Sequence, residues 1–168
     1  YVETTTLIED IKEADLYIIA VNDDVIGNVA QKLKTKKGIV VHTSGAKPLV
    51  EVAMHTNYGV FYPLQSFSKD LELNFQEVYH IDSKQRKSLH LSAVFVNNFS
   101  NYMFTVAQDL CDTNNVPFEI LHPLITETAL KATLQSPKNV QTGPAKRGDK
   151  ETIQSHLEQL KDTKHKDV

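Results

Sequence analysis

Apolar residues fall into two regimes along the chain. Up to about Val78 they come in short consecutive runs, and after Tyr79 they recur at three- and four-residue spacing. In the first regime, LYIIAV at 16–21 is an unbroken apolar run that suits a parallel strand buried on both faces. IVVH at 39–42 reads as the next strand, and residues 58–62 as a third. Residues 6–11 read as a short helix. Asn22, Asp23 and Asp24 close the first strand and cap a helix over 25–34, whose buried face is Val25, Ile26, Val29 and Leu33. Lys34 to Gly38 is a helix stop, with cations near the negative end of the dipole. Thr43, Ser44, Gly45 and Ala46 form a tight turn, and Pro48 suits the first turn of another helix. Strand and helix alternating through short joints predict a parallel, helix-covered sheet over 1–78.

The second regime opens with residues 82–112, which read as one long, mostly buried helix capped by Asp82 or Ser83. Leu89, Ala93, Val96, Phe99, Met103, Val106 and Leu110 make its apolar stripe. His90, Asn97 and Asn101 stand seven and four residues apart and so share another face, with Asn98 beside them. Polar groups in so apolar a helix need partners in the protein or in a ligand. A second helix is expected over 117–134, with Ile120, Leu121, Leu124, Ile125, Thr128, Ala129 and Ala132 facing inward, stopped by Ser136 and Pro137. A loop over 139–148 follows. Asp149 then caps a last helix with Ile153, Leu157 and Leu160 on its apolar face, and 161–168 reads as a frayed tail. Residues 79–168 are therefore expected to be a helical domain.

Composition narrows the partners. The 168 residues are 40% apolar and 23% charged, enough for a real core in one ordinary domain or two small ones. A net charge of -3 leaves no electrostatic footprint for nucleic acid. The single cysteine, Cys111, excludes an internal disulfide framework or a Cys-rich zinc site, fits a reducing cytoplasmic setting, and reads as a buried structural thiol. No run is long enough to span a bilayer, and no signal peptide is visible. The chain opens on Tyr1 in mid-pattern, so an N-terminal piece is expected to be missing from it.

Candidate chemistry gathers at the turns that follow parallel strands, where open α/β sheets bind ligands. Val21, Asn22 and Asp23 follow the first strand; Thr43, Ser44 and Gly45 follow the second. Gly45 would let a ligand approach the backbone, and Thr43 and Ser44 offer hydroxyls; equally, all are good cap and turn residues. Asp23 and Asp24 at a helix start are a capping choice before a metal site. The seven histidines show no metal spacing, and no metal is expected. His90, on the polar stripe, is the candidate for acid–base work, set against a hydrogen-bonded structural histidine. Asn97 and Asn98 would fix a substrate or the amide of a cofactor, or tie the helix to a neighbour. In the loop TGPAKRGD at 142–149, Gly143 and Gly148 bring backbone close to something, and Arg147 would clamp a carboxylate or phosphate or pair with an acidic residue.

Four stretches in order, HTSGA at 42–46, FYPLQSFS at 61–68, LHLSAVFVNNF at 89–99 and TGPAKRGD at 142–149, resemble the DUF2520 family. The resemblance covers nearly the whole chain. It implies a Rossmann-like NAD(P)-binding domain followed by an all-α domain like the C-terminal one of 6-phosphogluconate dehydrogenase, with relatives such as pyrroline-5-carboxylate reductase. It also implies NADP or NAD as cofactor, a small polar substrate, and a homodimer built through the helices. Residue by residue, it places Val21, Asn22, Ser44 and Gly45 near the nicotinamide half of the cofactor, and Gln65, Ser66, His90, Asn97 and Asn98 around the cleft between domains. With the turn and loop chemistry added, Asp23 and Thr43 join the expected cofactor contacts, Ser44, His90, Asn97 and Asn98 are the expected catalytic residues, and Gln65, Ser66, Thr142, Gly143 and Arg147 the expected substrate contacts. Three departures stand out. The glycine-rich turn that cradles pyrophosphate in the family would precede Tyr1. The family has more chain between the equivalents of Val78 and Tyr79. Val94 stands where hydroxyacid dehydrogenase relatives carry a catalytic lysine. The expected function is a hydride-transferring oxidoreductase; the alternatives are a dinucleotide-binding sensor without catalysis and a purely structural helical dimer.

Overall fold

The computed structural model describes residues 2–65 and 78–168. The chain divides into two compact units, Tyr1–Phe99 and Ser100–Val168. Sequence character changes earlier, after Val78. The difference arises because the helix that follows, α2 (Ser83–Ala93), is tied to Lys47 and Tyr62 through Arg86 and His90.

Among the described residues, three parallel strands form the sheet of the first unit in the order β1 (Leu16–Ile19), β2 (Ile39–His42) and β3 (Tyr58–Val60). Leu16 pairs with Ile39 and Ile19 with His42; Val40 pairs with Tyr58 and His42 with Val60. The parallel, helix-connected sheet is thus as expected. After β1, a 3₁₀ turn over Asp23–Val25 leads into α1 (Ile26–Lys32), and a second 3₁₀ turn over Leu49–Val52 takes the place of the helix expected after Pro48. The helix expected over 6–11 is a single 3₁₀ turn, Ile8–Asp10.

Tyr17, Ile19, Val40, Ile26, Ala30, Leu33 and Val52 make one core, where α1 and the Leu49–Val52 turn close over one face of the sheet. Burying an aliphatic side chain as fully as Ile26, Val40 or Val52 contributes about 1.5–3 kcal/mol. The other face differs from expectation. Leu16 and Ile18 of β1 alternate with the buried pair and stay half exposed, as does Ile39. An unbroken apolar run shows that both faces are apolar; it does not supply a second covering layer. On α1, Ala30 joins Ile26 and Leu33 in the buried set, while Val25 lies at the exposed margin.

Helix α2 (Ser83–Ala93) begins with a full capping box: the Asp82 carboxylate accepts from the Gln85 N–H, and the Gln85 side chain accepts from the Asp82 N–H. A π turn, Val94–Phe99, follows it and was not anticipated. Wider by about one residue per turn, it breaks the α-helical register on which a common face for His90, Asn97 and Asn101 depends. Burial departs from expectation as well, since Leu89, Val96, Phe99 and Met103 are exposed and only Arg86 and Val106 of the long helical stretch are buried.

The second unit contains α3 (Ser100–Thr113), α4 (His122–Leu134), α5 (Pro137–Val140), α6 (Pro144–Arg147) and α7 (Lys150–Leu160). A 3₁₀ turn at Phe118–Leu121 precedes α4, whose Leu124, Leu130 and Leu134 are exposed, as is Ile120 before it. The expected inward face is therefore open in this chain. The stretch expected as a loop after Pro137 is wound into two single-turn helices. Asp149 caps α7 as expected, accepting from the Thr152 N–H and hydroxyl, which hold its carboxyl below the usual range. The tail is not frayed. His165 is buried, and its Nε2 lies 2.8 Å from Asp109 Oδ2 on α3. Cys111 is partly rather than fully buried.

Candidate functional site

The turn after β2 is built around one hydroxyl. Ser44 Oγ accepts from the N–H groups of Ala46 (3.1 Å) and Lys47 (2.9 Å) and donates to Asp23 Oδ2 at 2.8 Å. The two post-strand turns, 21 residues apart in sequence, are thereby joined side chain to side chain. Asp23 was read as a helix cap. Its carboxylate is instead an acceptor for the neighbouring turn, and Asn22 at the cap position makes no capping bond.

His42 ends β2 and is completely buried. Its Nδ1 lies 3.2 Å from the Ser44 N–H, which can only donate, so Nδ1 is the bare nitrogen and Nε2–H donates to the Pro48 carbonyl at 3.3 Å. Burial pushes the His42 pKa down, and the Arg86 cation adds to that shift. This histidine is a neutral strut inside the turn. Arg86 of α2, also buried and lowered in pKa by burial, donates to the Lys47 carbonyl, and its Nε has no hydrogen-bond partner among the described residues.

Gly45 is the contact point of the group. A methyl on its Cα would sit 2.6 Å from His90 Nδ1 and 2.9 Å from Tyr62 Cζ. The glycine was expected to make room for a ligand; here the space is filled by two protein rings. Tyr62 Oη and His90 Nδ1 are 3.0 Å apart, and the rings meet edge to face with centroids 5.9 Å apart. Burial raises the Tyr62 pKa, keeping the phenol protonated. Sequence reading passed over Tyr62. It stood at the end of an expected strand, which in fact stops at Val60, and the FYPLQSFS motif around it was the available signal.

The structure thus brings Asp23, Ser44, Gly45 and His90 together and adds His42, Tyr62 and Arg86. Val21, Asn22 and Thr43 flank the group on the two turns; Val21 and Asn22 are exposed, and Thr43 is half-buried. Asn97 and Asn98 lie exposed in the π turn. Gln65 is exposed, and Ser66 lies outside the described residues. In the second unit, Thr142 and Arg147 are exposed, and Arg147 has no acidic partner among the described residues. Among the described residues nothing lies within 4 Å of where a Gly143 Cβ would be, and its φ of +104° is a conformation that favours glycine. Gly148 ends α6 in the left-handed conformation.

A cavity of about 590 Å³ in the first unit is lined by residues such as Ile8, Tyr17 and Lys34, near the start of β1 and the end of α1. It lies at the opposite ends of the strands from the post-strand turns, so it is separate from this group. Among the described residues, no cluster of three or more His, Cys, Asp or Glu is arranged to hold a metal ion, and no helix is long and apolar enough to cross a membrane.

Residues 64–168 match the model of a family described as a domain of unknown function, DUF2520. Two solved structures are similar. One, from Bacteroides fragilis, is described as a "putative NADP oxidoreductase"; it is 38% identical, with a TM-score of 0.84, over 95% of this chain and 73% of that one. The other, protein TM1727 from Thermotoga maritima, is 20% identical, with a TM-score of 0.75, over 93% of this chain and 74% of that one, and shows the shared fold. No curated protein matches the chain significantly.

Proposed function

The chain belongs to the DUF2520 family, and from that premise we propose that it is an NAD(P)-dependent oxidoreductase transferring hydride to or from a small polar substrate. The observation that carries this reading is the likeness to the Bacteroides fragilis protein, 38% identical along 95% of the chain. The residues suit a nicotinamide. The Asn22 amide, exposed and making no capping bond, and the Thr43 hydroxyl stand on neighbouring turns at the C-terminal edge of a parallel sheet, where such groups bind. The dinucleotide, when bound, would supply or accept the hydride.

The chain's own residues would set its position. Ser44, with its hydroxyl committed to Asp23 and two amides, holds the turn in shape rather than touching substrate. Val21, exposed on the turn after β1, completes the wall beside the nicotinamide half. His90 handles a proton, and Asn97 and Asn98 orient polar groups of the substrate. The molecule would act as a homodimer through its helical unit. Ile120, Leu124, Leu130 and Leu134 support this, because such a concentration of exposed large apolar side chains marks an interaction surface.

One observation favours a second reading, a dinucleotide-binding sensor that has lost catalysis: Val94, in the π turn, has no ionisable group. Titrating the full-length protein with NADPH and NADH, followed by nicotinamide fluorescence, separates the possibilities. Binding with turnover of a ketoacid, semialdehyde or imine is the expected result. Binding without turnover favours the sensor, and failure to bind either dinucleotide overturns both.

A further inference from the structure

The phenol of Tyr62 lies 3.0 Å from His90 Nδ1, and Gly45 packs against both rings. A side chain at position 45 would displace one ring or the other, so glycine is what lets the pair form against this turn. The His90 Nε2 has no hydrogen bond among the described residues, while Nδ1 is directed to Tyr62. An imidazole with one nitrogen on a phenol and the other uncommitted is a two-ended proton carrier. We propose that Tyr62 is the group that hands a proton to the substrate, and that His90 positions and reprotonates it.

This rests on the oxidoreductase reading and completes its balance. A reduced nicotinamide, when bound, would supply hydride to a carbonyl or imine carbon, and the π pair of that bond would move onto oxygen or nitrogen, which needs a proton. The Tyr62 Oη–H bond breaks while the new O–H or N–H bond forms. The phenolate then takes the proton from His90 Nδ1 as Nε2 takes one from solvent, so the imidazole changes tautomer and stays neutral. Burial keeps the Tyr62 phenol protonated, as a donor must be. His90 does not need to reach the substrate itself, so its part is positioning and supply.

The test uses the full-length protein with NADPH and whichever ketoacid, semialdehyde or imine it turns over best. Tyr62→Phe should lower kcat by about a hundredfold or more, leave KM within about twofold, and leave NADPH titration unchanged. His90→Ala should lower kcat, and His90→Gln, which can still donate to the phenol, should restore part of it. Independently of activity, the nitrogen NMR resonance of His90 Nδ1 should move in Tyr62→Phe. Native kcat in Tyr62→Phe, or an unmoved Nδ1 resonance, overturns this proposal alone. Absence of NADPH binding by the native protein overturns the oxidoreductase reading and the proposal with it, and binding without any turnover overturns the proposal in favour of the sensor.

Discussion

The Asp23 carboxylate accepts the Ser44 hydroxyl proton at 2.8 Å, so the turn after β1 and the turn after β2 share a hydrogen bond. Removing the hydroxyl deletes that bond and strands two amides, those of Ala46 and Lys47. Ser44→Ala should therefore destabilise the fold by about 1–3 kcal/mol, read as a lower urea midpoint. Asp23→Asn retains an acceptor oxygen and should cost less than half as much. Equal losses in the two variants would show that the amide bonds contribute little.

Gly45→Ala adds one methyl group where His90 and Tyr62 already stand. Overpacking of this kind should cost about 1–3 kcal/mol while leaving far-UV circular dichroism unchanged. The larger effect should be local, with the His90 ring resonances shifting as the pair with Tyr62 opens. Native resonances in this variant would mean that the loop yields and the rings do not.

His42 links acidity to stability. Its pKa is depressed in the folded protein, whereas in the unfolded chain it lies near about 6.5. Above that value both states are neutral, and the full contribution is present. As pH falls below it, the unfolded chain takes up a proton that the buried ring refuses, so stability declines until the lower folded pKa is passed. Between about pH 7 and pH 5 the native protein should lose more stability than His42→Gln, in paired denaturation curves. Parallel losses would remove His42 as the cause.

Asp109 acts at lower pH. Hydrogen bonds from Lys164 and then His165 hold its carboxyl below the ordinary value, so its contribution is complete above about pH 4 and is lost as pH falls through the folded pKa. Proteolysis of the tail should accelerate on acidification in the native protein. In Asp109→Asn it should already be fast at neutral pH and change little on acidification. A tail equally protected in both would show that the Asp109 contacts do not hold it.

Much of the fold could be read from local patterns, because strands, caps and turns depend on neighbours in sequence. β2, the Thr43–Ala46 turn and the Asp82 and Asp149 caps are of this kind. Burial was harder. Three- and four-residue spacing shows which side chains share a face, and Leu89, Val96 and Leu124 show that it does not reveal whether anything covers that face. The π turn had no local signature in VFVNNF, and it undid the face inferred for His90 and Asn97. In the candidate site, Ser44, Gly45 and His90 were legible as residue types, but their partners were not. Tyr62 lies 28 residues from His90, and Arg86 lies 39 from Lys47, separations at which no periodicity carries information.

Those same separations bear on the order of assembly. The core of Tyr17, Ile26, Val40 and Val52 needs only residues up to Val52, whereas the Gly45–Tyr62–His90 group waits for α2 to return across an intervening stretch of chain. Bringing residues so far apart in sequence together costs entropy before their contacts repay it. The sheet can therefore form first, with the Tyr62–His90 pair arriving after it. Amide exchange at Lys47 and His90 should report openings that the strands do not share.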